Sequence, residues 1–112
     1  MNVFFDVQGT LVCDSIPRPH VREVFAKLAD AGHDVYLWSS ARAGYASSAA
    51  ALLGVEDVVF ACYSKFAPPP VTVGYAVDDH PDVVDLYGGY AIAPFNGDLE
   101  DRKLWKVAER LE

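Results

Sequence analysis

An α/β domain is the fold class that this sequence predicts: a three-layer, Rossmann-like arrangement with a mostly parallel five-stranded sheet and helices on both faces. Three observations lead there. Short apolar runs alternate with segments of helical spacing along the whole chain, as repeated strand–helix–strand units do. The runs are continuously apolar rather than alternating, as strands covered on both faces are. Polar residues collect just after the first, second and fourth of these runs, and in such a sheet the strand ends converge on the edge where ligands bind.

The elements follow in order. Val3, Phe4 and Phe5 form the first strand, which stops at Asp6, and Gly9 and Thr10 turn the chain. From about Pro19 to Ala31, Val21, Val24, Phe25, Leu28 and Ala29 recur at helical spacing, and Gly32 ends the helix. Val35–Trp38 is a second strand ending at Ser39 and Ser40, and a helix follows from about Gly44 to Leu53, closed by Gly54. Val58–Ala61 reads as a third strand and Val71–Val77 as a fourth, ending at Asp78 and Asp79. His80-Pro81 opens a short helix to about Tyr87, Tyr90–Ala93 is a fifth strand, and the last helix runs from about Leu99 to Leu111 with Asp98 as its N-cap.

At 112 residues, 52% of them hydrophobic, the chain makes one domain with a core large enough to dispense with disulfides. Cys13 and Cys62 accordingly read as reduced thiols of a cytoplasmic protein, with Cys62 a small core residue. No stretch approaches the ~18 apolar residues of a membrane span, and no basic leader precedes the first strand. A net charge of −7 argues against nonspecific nucleic-acid binding, which needs lysines and arginines to neutralise phosphates. An acidic protein still binds phosphorylated ligands where a metal inverts the local field.

The polar strand ends supply the parts that phosphoryl transfer to a carboxylate requires. Asp6 offers a nucleophile, Ser39 a hydroxyl with Ser40 competing for that role, Lys65 a cation, and Asp78 with Asp79 further metal-binding carboxylates. Trp38, Trp105 and Tyr45 read as packing residues, and His20 and His80 as surface or capping residues. Arg42 is divided evenly between a pocket and a surface role. Receiver domains combine similar groups, but there the acidic pair comes first and the lysine follows the hydroxyl-bearing residue. The order in this chain is nucleophile, hydroxyl, lysine, acidic pair.

That order, carried by Phe4-Phe5-Asp6-Val7-Gln8-Gly9-Thr10, Tyr36-Leu37-Trp38-Ser39-Ser40, Lys65 and Tyr75-Ala76-Val77-Asp78-Asp79, resembles the haloacid dehalogenase superfamily, the aspartate-nucleophile phosphohydrolases. The resemblance covers essentially the whole chain. It implies a magnesium-dependent hydrolase working through an aspartyl-phosphate on Asp6. Ser39, Ser40 and Lys65 would hold the phosphoryl group. The metal would sit on Asp6, the Gln8 carbonyl, Asp78 and Asp79. The family's first motif has a second aspartate where this chain has Gln8. The backbone carbonyl there survives any substitution, but an amide has no proton to exchange near neutral pH, so the acid–base role is lost. Weak or altered activity is one expected result, and a non-catalytic domain that binds phosphate or a partner protein is the alternative. His80 is the nearest candidate for a recruited base.

The stretch from Asp6 to Ser39 holds only a flap and one helix, and that from Ser39 to Lys65 one helix and one strand. Neither has room for the cap domain that the superfamily usually inserts. The resemblance therefore implies a capless member with an open site. Such a site suits a macromolecular or large phosphorylated substrate, or is closed by a second subunit in a homo-oligomer.

Overall fold

The computed structural model describes residues 1–112. Its main sheet has five strands, β1 (Asn2–Asp6), β4 (Asp34–Ser39), β5 (Val59–Ser64), β6 (Tyr75–Asp78) and β7 (Gly89–Ala91), ordered β5-β4-β1-β6-β7. Every pairing in it is parallel, with Phe5 beside Leu37 on one side and Val77 on the other. A small antiparallel hairpin, β2 (Val12–Cys13) with β3 (Ile16–Pro17), follows the first strand. Four helices complete the domain: α1 (Val21–Asp30), α2 (Ala43–Leu53), α3 (Pro81–Tyr87) and α4 (Trp105–Arg110).

β1 is central because Val3, Phe4 and Phe5 are fully buried and its odd and even positions feed two different layers. Val3, Phe5, Val35, Leu37 and Val77 face α1, α2 and α4, which contribute Val24, Phe25, Leu28, Ala46, Ala50, Leu53 and Val107 to one continuous core. On the other face Phe4, Tyr36 and Trp38 form a smaller aromatic layer, with Phe4 stacked on Tyr36 at 4.7 Å between ring centroids. That layer is covered by Val71, Val73 and the α3 residue Val83. Helices thus lie on both faces, three on one and a single short one on the other.

Several boundaries differ from those the sequence predicts. The third strand runs on to Ser64, so Cys62 is a half-buried strand residue and Lys65 comes directly after the strand end. The fourth begins at Tyr75 rather than Val71. Residues 71–74 instead cross the sheet face, where Val71 and Val73 pack on the aromatics and Asn2 Nδ2 donates to the Thr72 carbonyl. The fifth strand is Gly89–Ala91, because the Ala93 carbonyl accepts a hydrogen bond from Arg18.

The last helix is confined to Trp105–Arg110. Asp98 does not cap it; its Oδ1 accepts the Glu100 N–H in an earlier turn, and Asp101 is drawn inward by Arg18. The flap proves to be the hairpin, whose two turn residues, Asp14 and Ser15, both have positive φ of 48° and 68°. Both cysteines are free. Trp38 is buried, Trp105 is half-buried, and no helix is long and apolar enough to cross a membrane.

Candidate active site

Parallel pairing brings the C-terminal ends of β1, β4, β5 and β6 to one edge of the sheet, and the polar residues meet there. Asp6 closes β1 beside Trp38 of β4, with only 7% of its side chain exposed. Lys65 reaches in from the end of β5. Its backbone N–H donates to the Ser39 carbonyl, which extends the strand ladder by one step. Its Nζ donates to Asp6 Oδ1 at 2.8 Å and to Asp78 Oδ2 at 2.7 Å. Trp38 lies beneath, with Nζ 5.7 Å from its ring centroid, so the ammonium is held from three sides.

Asp78 ends β6 and is completely buried. Its other oxygen, Oδ1, accepts the His80 backbone N–H at 2.9 Å and lies 3.0 Å from His80 Nδ1. Asp79 turns the opposite way, toward the loop after β1. That close approach requires Gly9: a Cβ there would come within 2.5 Å of Asp79 Oδ2, and the backbone φ of +89° is itself a glycine conformation. Thr10 Oγ1 bridges the two elements at longer range, 3.4 Å from Asp6 Oδ2 and 3.3 Å from Asp79 Oδ1.

These contacts shape the protonation states. Burial is the largest influence on Asp6, the Asp79 carboxyl adds to it, and Lys65 opposes both; the result is a pKa raised to about 7. For Lys65 burial opposes the charge, but the attraction of Asp6 and the bonds to Asp6 and Asp78 outweigh it and push the ammonium up. His80 is also raised, first by its hydrogen bond to Asp78 and then by the charge of Asp79.

One ligand atom each from Asp6, Asp78, Asp79 and His80 lie within 4.8 Å of one another, so the cluster could hold a metal ion. His80 is therefore part of the acidic cluster, although it also stands at the N-cap position of α3, where its side chain makes no capping bond. In the loop Val7–Thr10 the other carbonyls are committed. Val7 accepts from Thr10, Leu11 and Val12, Gly9 from Phe95, and Thr10 from Arg18. The Gln8 carbonyl alone accepts nothing.

The remaining residues picked out from the sequence are placed less centrally. Ser39 is buried at the end of β4, and its Oγ accepts the Ala41 N–H at 2.9 Å, while Ser40 is exposed. The Gln8 side chain is exposed and its Oε1 accepts the Tyr45 hydroxyl at 3.2 Å. Tyr45, expected to pack, is 39% exposed and serves instead as a partner of Gln8. Arg42 lies at the surface at the start of α2, and His20 pairs with Glu23 on α1.

Sequence reasoning missed Thr10 and Arg18. Thr10 was legible only as a turn residue. Arg18 is wholly buried, and nothing about a lone arginine after a flap signals that. No protein-family model matches the chain, and no curated protein matches it either. The resemblance to a phosphohydrolase family therefore rests on the sequence motifs alone.

Proposed function

We propose that this chain is a capless, haloacid dehalogenase-like phosphoryl-transfer domain in which Asp6 is the nucleophile and magnesium the cofactor. The observation that carries the reading is the bridge made by Lys65 between Asp6 at 2.8 Å and Asp78 at 2.7 Å. It joins three of the four motif positions at the sheet edge where ligands of open α/β folds bind.

The donor set fits magnesium, which prefers hard oxygen ligands and keeps several waters. Asp6, Asp78 and Asp79 offer carboxylate oxygens, and the uncommitted Gln8 carbonyl offers a neutral one. Magnesium, when bound there, would hold Asp6 in its ionised form and neutralise phosphoryl oxygens.

The chain's own groups divide the remaining work. The Asp6 carboxylate attacks phosphorus in line with the departing oxygen. Lys65 orients that carboxylate and balances the charge on the transferring group. Ser39 and Ser40 stand at the next strand end as hydroxyl donors. Gln8 cannot protonate the leaving group, and His80, whose Nδ1 lies 3.0 Å from Asp78 Oδ1, is the nearest group that could take over the acid–base work.

A second reading, a domain that binds phosphate or a protein without turnover, is favoured by Gln8 alone. An aryl phosphate assay with magnesium separates the two readings, run on the natural chain and on Gln8→Asp. Magnesium-dependent hydrolysis lost in Asp6→Asn supports the enzyme. No hydrolysis by either protein supports the binding domain.

A further inference from the structure

We propose that the basic groove between α4 and β7 is a docking site for an acidic peptide segment of a partner protein. The proposal stands apart from the phosphoryl-transfer reading, because none of its residues belongs to the Asp6 cluster. The groove is lined by Tyr90, Arg102, Lys103, Trp105, Lys106 and Glu109 and has a volume of about 400 Å³. Arg102, Lys103, Lys106 and Arg110 are four of the chain's nine basic residues, in a protein whose net charge is −7. Three of them line the groove, and the guanidinium of Arg110 lies over the Tyr90 ring, 5.0 Å from its centroid.

The local backbone sets these cations in a row. The Trp105, Lys106 and Val107 N–H groups donate to carbonyls three residues back, so α4 is entered through a 3₁₀ turn. Residues three apart eclipse in such a turn, which puts Lys103 and Lys106 on one side. Arg110 follows four residues later on the same face of α4. At ~2.0 Å of rise per residue in the turn and ~1.5 Å in the helix, the row is about 12 Å long. An extended chain repeats its side chains on one face every ~6.8 Å, so three acids at alternate positions span nearly the same length. β7 is the last strand of the sheet, and its unpaired outer edge offers such a chain main-chain hydrogen bonds as well.

The cations are open to a new partner. Lys103 and Lys106 are exposed and approach Asp101 and Glu109 only at 3.5 Å, contacts that contribute little at a surface, and Arg102 and Arg110 pair with no carboxylate. The rest of the surface selects among anions. Apart from Glu109, all 16 acidic residues lie outside this segment, as do five of the nine basic ones. A nucleic-acid duplex or an anionic membrane extends past the groove and meets that negative surface, within a screening length of ~8 Å. A short acidic strand confined to the groove does not.

Titration of the whole chain with a capped, alternating Glu-Ser hexapeptide, followed by amide NMR shifts at low ionic strength, tests the groove. The shifts are expected at Tyr90 and residues 102–110. The acidic peptide should bind at least ~10-fold tighter than an alternating Gln-Ser peptide, the scale of two or three exposed ion pairs. That advantage should vanish at ~1 M salt, where the screening length falls to ~3 Å. Arg102→Glu combined with Lys106→Glu should weaken binding by ~10-fold or more. Glu109→Gln, which removes the one acid in the lining, should tighten it, an effect that a damaged fold cannot produce. All three residues are exposed, so the substitutions spare the core. Equal affinity for the two peptides, shifts elsewhere in the chain, or variants that leave binding unchanged would overturn the proposal. So would tighter binding of a DNA oligonucleotide or of phosphatidylserine vesicles, which would give the groove to another class of partner. Each of these results leaves the Asp6 site as it stands.

Discussion

Arg18 and Asp101, 83 residues apart in sequence, meet inside the protein as a two-pronged pair, Nε to Oδ1 and Nη2 to Oδ2, each at 3.0 Å. The same guanidinium donates to the Thr10 carbonyl at 3.1 Å and to the Ala93 carbonyl at 2.9 Å, and lies over the Phe95 ring. One buried cation thus ties the hairpin, the loop after β1 and the segment after β7 together. The loop it secures carries Gln8, Gly9 and Thr10. With all three guanidinium nitrogens hydrogen-bonded, such a pair is costly to break from one side, because the survivor is left charged and unpaired.

Asp101→Ala should therefore destabilise the chain by about 3–5 kcal/mol, the usual range for stranding one member of a buried pair. The natural pair also predicts an acid limb. Burial raises the Asp101 pKa, but the Arg18 bonds, the Lys103 N–H and the charges of both residues outweigh it and hold the carboxyl below its ordinary value. A depressed folded-state pKa gives stability that is present above the unfolded value, near ~4, and is lost as pH falls through the folded one. Urea titrations of the natural chain and Asp101→Asn from pH 6 downward should show the two curves converging in acid.

Asp6 has the opposite linkage. Its folded pKa of about 7 lies above the ordinary 3.8. Its contribution to stability is full below the lower value and is withdrawn as pH rises through the higher one. In metal-free buffer Asp6→Asn should be more stable than the natural chain at pH 8, by up to ~4 kcal/mol at ~1.4 kcal/mol per pH unit, and the gap should close toward pH 4. Denaturation in a chelator measures it. An Asn variant less stable at pH 8 would contradict the burial argument.

The strand ends were legible in the sequence because chemistry and hydrophobicity change there together. Asp6, Lys65, Asp78 and Asp79 are charged residues in or just after apolar runs, and parallel pairing alone brings such positions to one edge. What stayed hidden depends on partners far away in sequence. Residues 71–74 look like strand but cross the sheet face, because the aromatic layer of Phe4 and Tyr36 takes up their valines. Residues 99–104 look like helix, but Arg18 draws Asp101 into the interior. Tyr45 looks like a packing residue, and its bond to Gln8 depends on where α2 starts. The hairpin turn uses Asp14-Ser15, which lacks the glycine that marks two-residue turns.

Gly9→Ala probes the close approach of the loop to Asp79. The new methyl would meet Asp79 Oδ2 and the backbone would be strained at φ +89°, so the carboxylate must move. The expected result is a loss of ~1–3 kcal/mol in stability and a weaker magnesium-induced rise in melting temperature. Thermal scans with and without magnesium report both.

Gln8→Asp should create or greatly increase hydrolysis of alkyl phosphates, by ~10²-fold or more, since it restores a group able to donate and then accept a proton. The gain on aryl phosphates should be smaller. The replacement is shorter than glutamine and exposed, so the fold should not change. Equal rates for both proteins on both esters would mean that another residue already performs the acid–base work.

Whether Asp6 accepts a phosphoryl group is tested by trapping its acyl phosphate. The chain is incubated with acetyl phosphate and magnesium, quenched in acid, reduced with borohydride and sequenced by mass spectrometry. An acyl phosphate on an aspartate is reduced to homoserine, so the site of transfer is marked in the peptide itself. The nucleophile assignment requires homoserine at position 6, dependent on magnesium and absent in Lys65→Met. Homoserine at Asp78 or Asp79 in place of position 6, or none at all, would contradict it.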